Sequence, residues 1–142
     1  MLISAILRGK GTTVATVRPG ATVTELLAAL AEHNIGAVVV SEDGASIVGI
    51  VSERDVVRQM HLRGAGVLDE PVSSIMTTSV RTCGPDADVD DLRKTMTDHR
   101  IRHLPVVSEG RLAGIVSIGD VVKSAIEELE AEKAHLVDYL HG

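Results

Sequence analysis

The chain spells nearly the same nine residues twice, GIVSERDVV at Gly49–Val57 and GIVSIGDVV at Gly114–Val122. Gly, Ser, Asp and the apolar positions are kept, while Glu53-Arg54 becomes Ile118-Gly119. Apolar residues closing on Ser, with Asp three residues later, describe a strand that runs into a helix. Ser52 and Ser117 then stand at the helix start, and Asp55 and Asp120 can accept from its first amides, as in the related Ser-x-x-Glu box. The same turn also suits a ligand. A helix start presents free N–H groups to an anion, and a short carboxylate offers two acceptors to neighbouring sugar hydroxyls, with Ser able to donate or accept beside it. The two readings are compatible, and the sequence leaves both open.

The repeat extends well beyond the motif. Val14-Ala-Thr16-Val-Arg-Pro19 pairs with Val80-Arg-Thr82-Cys-Gly-Pro85, His33-Asn-Ile35 with His99-Arg-Ile101, and Val40 with Val106, all 66 positions apart. The openers Ser4-Ala-Ile-Leu7 and Ser73-Ser-Ile-Met76 also correspond. One long period present twice suits a tandem pair of small domains rather than a solenoid.

Within each unit the periodicity changes in order. Val14 to Val17 reads as a short strand before the Pro19-Gly20 turn. Thr22 and Glu25 form a capping-box pattern ahead of Val23, Leu26, Leu27 and Leu30 on one helix face. Asp88, Asp91, Val89, Leu92 and Met96 repeat it. The apolar runs Ala37–Val40 and Leu104–Val107 predict buried strands. Each leads through an acidic glycine turn into a second strand, Ile47–Val51 or Leu112–Val116. Residues 61–71 carry Gly64, Gly66 and Pro71 and read as an exposed link. The last helix runs to about Leu140, with Ile126, Leu129, Leu136 and Leu140 on a seam that Lys133 interrupts. That seam predicts either a dimer contact or packing against the chain's own domain.

Composition narrows the function. Of 142 residues 44% are hydrophobic, enough for a packed interior, yet there is one Tyr and no Trp or Phe. Stacking of nucleic-acid bases therefore has almost no platform. A net charge of −6, without a basic run, further argues against a nucleic-acid partner. No stretch approaches the ~20 apolar residues of a membrane span. MLISAILRGKG at the start lacks a targeting pattern, so a soluble, cytoplasmic protein is expected. Cys83 is the only cysteine and aligns with Val17, which marks a small buried residue more than a nucleophile.

Two copies of strand-helix-strand-strand-helix, each closing on Gly-apolar-apolar-Ser-x-x-Asp, resemble a tandem pair of cystathionine-β-synthase (CBS) domains, a Bateman module. Ile101-Arg102-His103-Leu104-Pro105-Val106 resembles that family's segment before the second strand. The resemblance implies an α+β (α/β) fold of two β-α-β-β-α domains related by pseudo-two-fold symmetry, over residues 6–64 and 73–128, with a helical tail at 129–142. It implies a regulatory module, not an enzyme, that binds AMP, ADP, ATP or a related adenosine compound such as NAD or S-adenosylmethionine between the domains. It further implies a homodimer and an effector protein elsewhere. Carried over residue by residue, Asp55 and Asp120 would take the ribose hydroxyls, and Ser52 and Ser117 the phosphate or ribose. Arg102 and His103 match phosphate-contacting positions, and Arg54 is close enough to join them, unless Arg54 is merely solvated and a backbone carbonyl holds His103. Thr16 and Thr82, with Val38 and Leu104, are adenine-side candidates or simply core, and Pro105 belongs to the matching segment. The first copy has Gly36, Ala37 and Val39 where the second has Arg102, His103 and Pro105, so unequal clefts are expected.

Other chemistries fare poorly. Gly9-Lys10-Gly11-Thr12 has a superficial likeness to a P-loop, but Thr does not follow Lys directly and no strand precedes it. His99 and His103 are predicted on different elements, so a shared metal site is not expected. No His stands as an evident base beside a nucleophile.

Overall fold

A computed structural model describes residues 1–11 and 14–142; Thr12, part of the discarded P-loop likeness, lies outside them. Helix α1 (Ile3–Lys10) precedes β1 (Thr16–Val17), α2 (Val23–His33), β2 (Ala37–Val40), β3 (Gly49–Ser52) and α3 (Glu53–Arg63). Two short 3-10 turns, Ala65–Asp69 and Val72–Ser74, lead to α4 (Val89–His99), β4 (His103–Ser108), β5 (Arg111–Ser117) and the 24-residue α5 (Ile118–His141). In the first sheet β1 runs parallel to β2 and β2 antiparallel to β3. The second sheet pairs β4 with β5 antiparallel.

The expected first strand of the second unit is reduced to one parallel bridge, Cys83 to Val106. In the first unit Ala15 and Val17 both pack on the core, whereas Arg81 and Thr82 are exposed and only Cys83 turns inward. One inward side chain offers too little burial to hold a longer strand. The capping box predicted at Thr22 is made on one side, with Thr22 Oγ1 accepting from the Glu25 amide at 3.1 Å. At α4, Asp88 serves Asp90 instead of the predicted Asp91.

Two apolar cores result. Val23, Leu26, Leu30, Val38, Val40, Val51 and Val56 form the first, and Val89, Leu92, Met96, Leu104, Val106, Val116 and Val121 the second. Each is completed from the other half of the chain. Ile3 and Leu7 of α1 lie in the second core, while Val72 and Ile75 of the link lie in the first. The same backbone bonds fasten both openers. Val23 and Val89 donate to the carbonyls of Glu70 and Met1 (3.0 and 2.9 Å), and Val72 and Ile3 donate to those of Ala21 and Ala87 (2.7 and 2.9 Å). Ser73 and Ser4 donate to Pro19 and Pro85 (3.0 and 2.9 Å).

This crossing accounts for the glycine in the duplicated motif. Met76 passes over Gly49 and Leu7 over Gly114. A Cβ on Gly49 would lie 2.8 Å from Met76 Sδ and 2.8 Å from the Thr77 carbonyl oxygen; on Gly114 it would lie 2.6 Å from Leu7 Cδ2. The Thr77 carbonyl is backbone, fixed by the Ile50 amide at 2.9 Å, whereas Leu7 Cδ2 is the end of a flexible side chain. Gly49→Ala is therefore expected to destabilise by about 1–3 kcal/mol and Gly114→Ala by less, as read from chemical denaturation midpoints. Equal costs would refute the crossing as the reason for the glycines.

Candidate functional site

Each motif strand delivers its Ser to the first position of a long helix, and both Ser residues cap. Asp55 N donates to Ser52 Oγ at 3.2 Å while Ser52 N donates back to Asp55 Oδ2 at 2.8 Å. Asp120 N donates to Ser117 Oγ at 3.1 Å and Ser117 N to Asp120 Oδ2 at 2.9 Å. The reciprocal capping box is thus complete in both copies. All these bonds to the carboxylates fall on Oδ2, so the caps fix the acids without using every acceptor site they have.

The surroundings of the two boxes differ. Lys10, the last residue of α1, places Nζ 2.6 Å from Asp120 Oδ2 and donates to the Ile115 carbonyl at 2.9 Å. Burial opposes ionisation of Asp120, but the Lys10 ammonium and the Ser117 amide outweigh it and hold the carboxyl below its ordinary value. His103 stands on β4 opposite Ser117. Its burial, and then the Lys10 charge, lower its pKa; Asp120 and Glu53 pull the other way, and Arg102 adds to the lowering. Arg102 has an exposed side chain, and its carbonyl accepts from the Ile118 amide at 2.8 Å, tying β4 to the start of α5. Ser117, Asp120, His103 and Arg102 therefore gather at one place. Lys10 joins them from the opposite end of the chain.

A cavity of about 320 Å³ opens beside this group, between α1 and α5, lined by Ile6, Gly9, Lys10, Asp120, Lys123 and Glu127 among others. That volume is within the range of small-ligand pockets. A larger open hollow of about 540 Å³ lies at Arg18, Pro19, Gly20, Glu25 and Glu42 and takes in none of the predicted residues.

At the first box, the Gly36 carbonyl accepts from the Glu53 amide at 3.0 Å, as Arg102 does for Ile118. Glu53 then folds its carboxylate over Gly36, 3.0 Å from where a Cβ would stand. An acid thus occupies the place where the second copy carries a base. Arg54 is exposed on the first turn of α3. The clefts are unequal in charge, as the sequence predicts.

The remaining candidates are scattered. Thr16 is half-buried in β1 opposite Val39, Thr82 is exposed ahead of the Cys83 bridge, and Pro105 is buried in β4 opposite Ile115. The Pro105 carbonyl accepts from the Cys83 amide at 3.1 Å. Val38 and Leu104, considered for the adenine side, are both 1% exposed and belong to the two cores. Alternation along a strand turns them inward and leaves His103 and Pro105 on the other face. Burial pushes the Cys83 thiol up to about 11, far from a nucleophilic thiolate. His99 ends α4 and His103 begins β4, and among the described residues no three metal-ligating side chains converge. Also among the described residues, no helix is long and apolar enough to cross a membrane.

Lys10 is the functional candidate that the sequence hides. It is 110 positions from Asp120, and only the correspondence of the openers, with the unexplained motif glycine, hints that α1 crosses to the second unit.

Comparison with known proteins agrees with this architecture. The CBS domain family model matches residues 11–62 and 72–127. The crystal structure of the CBS-domain containing protein ATU1752 from Agrobacterium tumefaciens superposes with a TM-score of 0.85 at 42% identity, covering 88% of this chain and 99% of that one. The CBS domain pair of protein MJ0100, in complex with 5′-methylthioadenosine and S-adenosyl-L-methionine, gives a TM-score of 0.77 at 25% identity over 87% of this chain and 98% of that one. The mitochondrial CBS domain-containing protein CBSX3 of Arabidopsis thaliana is 36% identical over 85% of this chain, which spans 61% of that relative's length. With both repeats matched and the fold shared throughout, this chain belongs to the CBS domain family as a tandem domain pair.

Proposed function

We propose that the chain is a sensor that binds an adenosine-containing ligand beside Asp120 and passes its occupancy to a partner protein. AMP, ADP, ATP, NAD and S-adenosylmethionine are the candidate ligands, with no chemical conversion of any of them. The observation that carries this reading is the cluster of Asp120, Ser117, His103, Arg102 and Lys10 at the start of α5, next to a cavity of ligand size. A held carboxylate suits a ribose diol, and cations beside a helix N-terminus suit a phosphate. The complex of the MJ0100 domain pair with two adenosine compounds, neither of them phosphorylated, supports the adenosine half of this chemistry. The acidic Glu53 makes the first cleft the weaker one for a phosphorylated ligand. We place the protein in the cytoplasm, as a homodimer acting on an effector carried by another chain.

A second reading comes from α5. Glu128 still pairs with the N-terminal ammonium at 3.7 Å, but beyond it the side chains leave the domain, and Leu129, Leu136 and Leu140 are 64, 64 and 78% exposed. The exposure of these residues favours the dimer contact over packing on the chain's own domain. In this reading the ligand sites have lapsed and the protein works through association, with this seam and the dimer surface as its functional parts.

Thermal unfolding with each nucleotide separates the two. A bound ligand at a hundredfold over its Kd stabilises by about 2.7 kcal/mol, and Asp120→Ala is expected to abolish that shift while the ligand-free protein still melts cooperatively, at a cost of about 1 kcal/mol for the lost bond from the Ser117 amide. No shift with any of the five compounds would transfer the function to the tail.

The ligand reading also fixes a sign for pH. A phosphate beside His103 raises a pKa that burial and Lys10 now lower from 6.5, so binding takes up a proton. AMP affinity should therefore rise as pH falls through the histidine range, relative to His103→Gln, in which the nucleotide's own titration still occurs. Parallel pH profiles by calorimetry would count against contact with His103.

For the tail, removal of residues 129–142 is expected to convert a dimer to a monomer, or to weaken it markedly, in light-scattering mass measurements. An unchanged dimer would exclude the seam.

A further inference from the structure

We infer that Lys10 is a counter-ion that changes partner when the site fills, holding Asp120 beforehand and moving to the ligand's anionic group afterwards, which makes the site prefer phosphorylated adenosine over adenosine itself. The inference rests on the ligand reading above.

Asp120 is partly engaged. Its Oδ2 already receives the Ser117 amide at 2.9 Å and Lys10 Nζ at 2.6 Å. A ribose diol held bidentately, one hydroxyl on each oxygen, uses Oδ2 as well as the free Oδ1. The Ser117 bond is part of the helix cap and stays with the helix, so in that bidentate mode the contact that yields is that of Lys10. Adenosine alone would have to break an ion pair and offer nothing to the displaced cation.

Lys10 cannot simply be left behind. Its side chain is 37% exposed and that of Asp120 23%, so the pair is only partly screened by water. A second donor of the ammonium lies on the Ile115 carbonyl at 2.9 Å, which keeps it at the site after it leaves Asp120. Among the described residues the anions near it are Glu53, whose charge reaches His103 but whose carboxylate lies over Gly36, and Glu127. Glu127, also on the cavity wall, is two helical turns beyond Asp120, about 10 Å along the axis. Lys123, one turn beyond Asp120, adds another positive charge to the wall. Arg102 and His103 flank the site on β4. A phosphate on the bound nucleoside supplies the missing negative charge, and the flexible four-carbon stem of Lys lets the ammonium follow it.

The test is calorimetric titration of adenosine and of AMP into the full chain, into Lys10→Met and into Lys10→Arg. The wild-type chain should bind AMP at least about tenfold more tightly than adenosine, the scale of one charge-assisted hydrogen bond. Lys10→Met should tighten adenosine and weaken AMP, bringing the ratio towards one. Lys10→Arg should keep the preference, which separates a charge role from a purely structural one. If Lys10→Met moves both affinities by the same factor or moves neither, or if wild type does not discriminate, the counter-ion role is overturned and the ligand site stands. If wild type binds neither compound, the ligand reading falls first and takes this inference with it.

Discussion

The structure depends on an exchange. Neither apolar core closes with the residues of its own repeat, because the segment ahead of each repeat docks on the opposite unit. Three backbone hydrogen bonds, made once by residues 1–4 and again by residues 70–73, fasten the exchange. Ile3 at 0% and Val72 at 0% exposure seal the two interiors. A chain without Phe or Trp fills its cores with Val, Ile, Leu and Met, and part of that filling comes from the opposite opener. The bare backbone of Gly49 and Gly114 is the clearance the openers require.

Once the openers are in place, the rest of the motif acquires its meaning. Ser and Asp complete capping boxes that anchor α3 and α5 at the ends of β3 and β5. A cap and a ligand contact use the same atoms in different states, so the box does not decide between them. What distinguishes the copies is the company each acid keeps. Asp120 has Lys10, His103 and Arg102 around it, while the first unit brings a glycine and the carboxylate of Glu53 to the corresponding place.

Much of this is legible in the sequence, and the limits are physical. Strand β2 coincides with the run Ala37–Val40 because four consecutive buried residues leave no ambiguity. The capping boxes at Ser52 and Ser117 are local and read directly. Thr22 and Asp88 are also local, yet their boxes are incomplete, since the reciprocal contact depends on a rotamer that sequence does not set. The short strand at Cys83 is overestimated because alignment to Val17 transfers a position but not the burial that sustains it. Val38 and Leu104 are left open between cleft and core by the sequence, and their side chains take the core, because strand phase is set by packing rather than by the residues themselves. Lys10 is invisible because its role arises from a crossing between the two ends of the chain, and no local pattern encodes that.

Helix α5 begins at the capped turn that carries Asp120 and continues without interruption to His141. Its 24 residues make a rod of about 36 Å, of which the outer part touches nothing in its own domain. A rod anchored only at its root works as a lever. The free arm runs from Ser124, the last buried residue, to His141, about 26 Å. Each degree of tilt at its root sweeps the far end through about 0.4 Å, and a small displacement there becomes a change of position on the outside of the molecule.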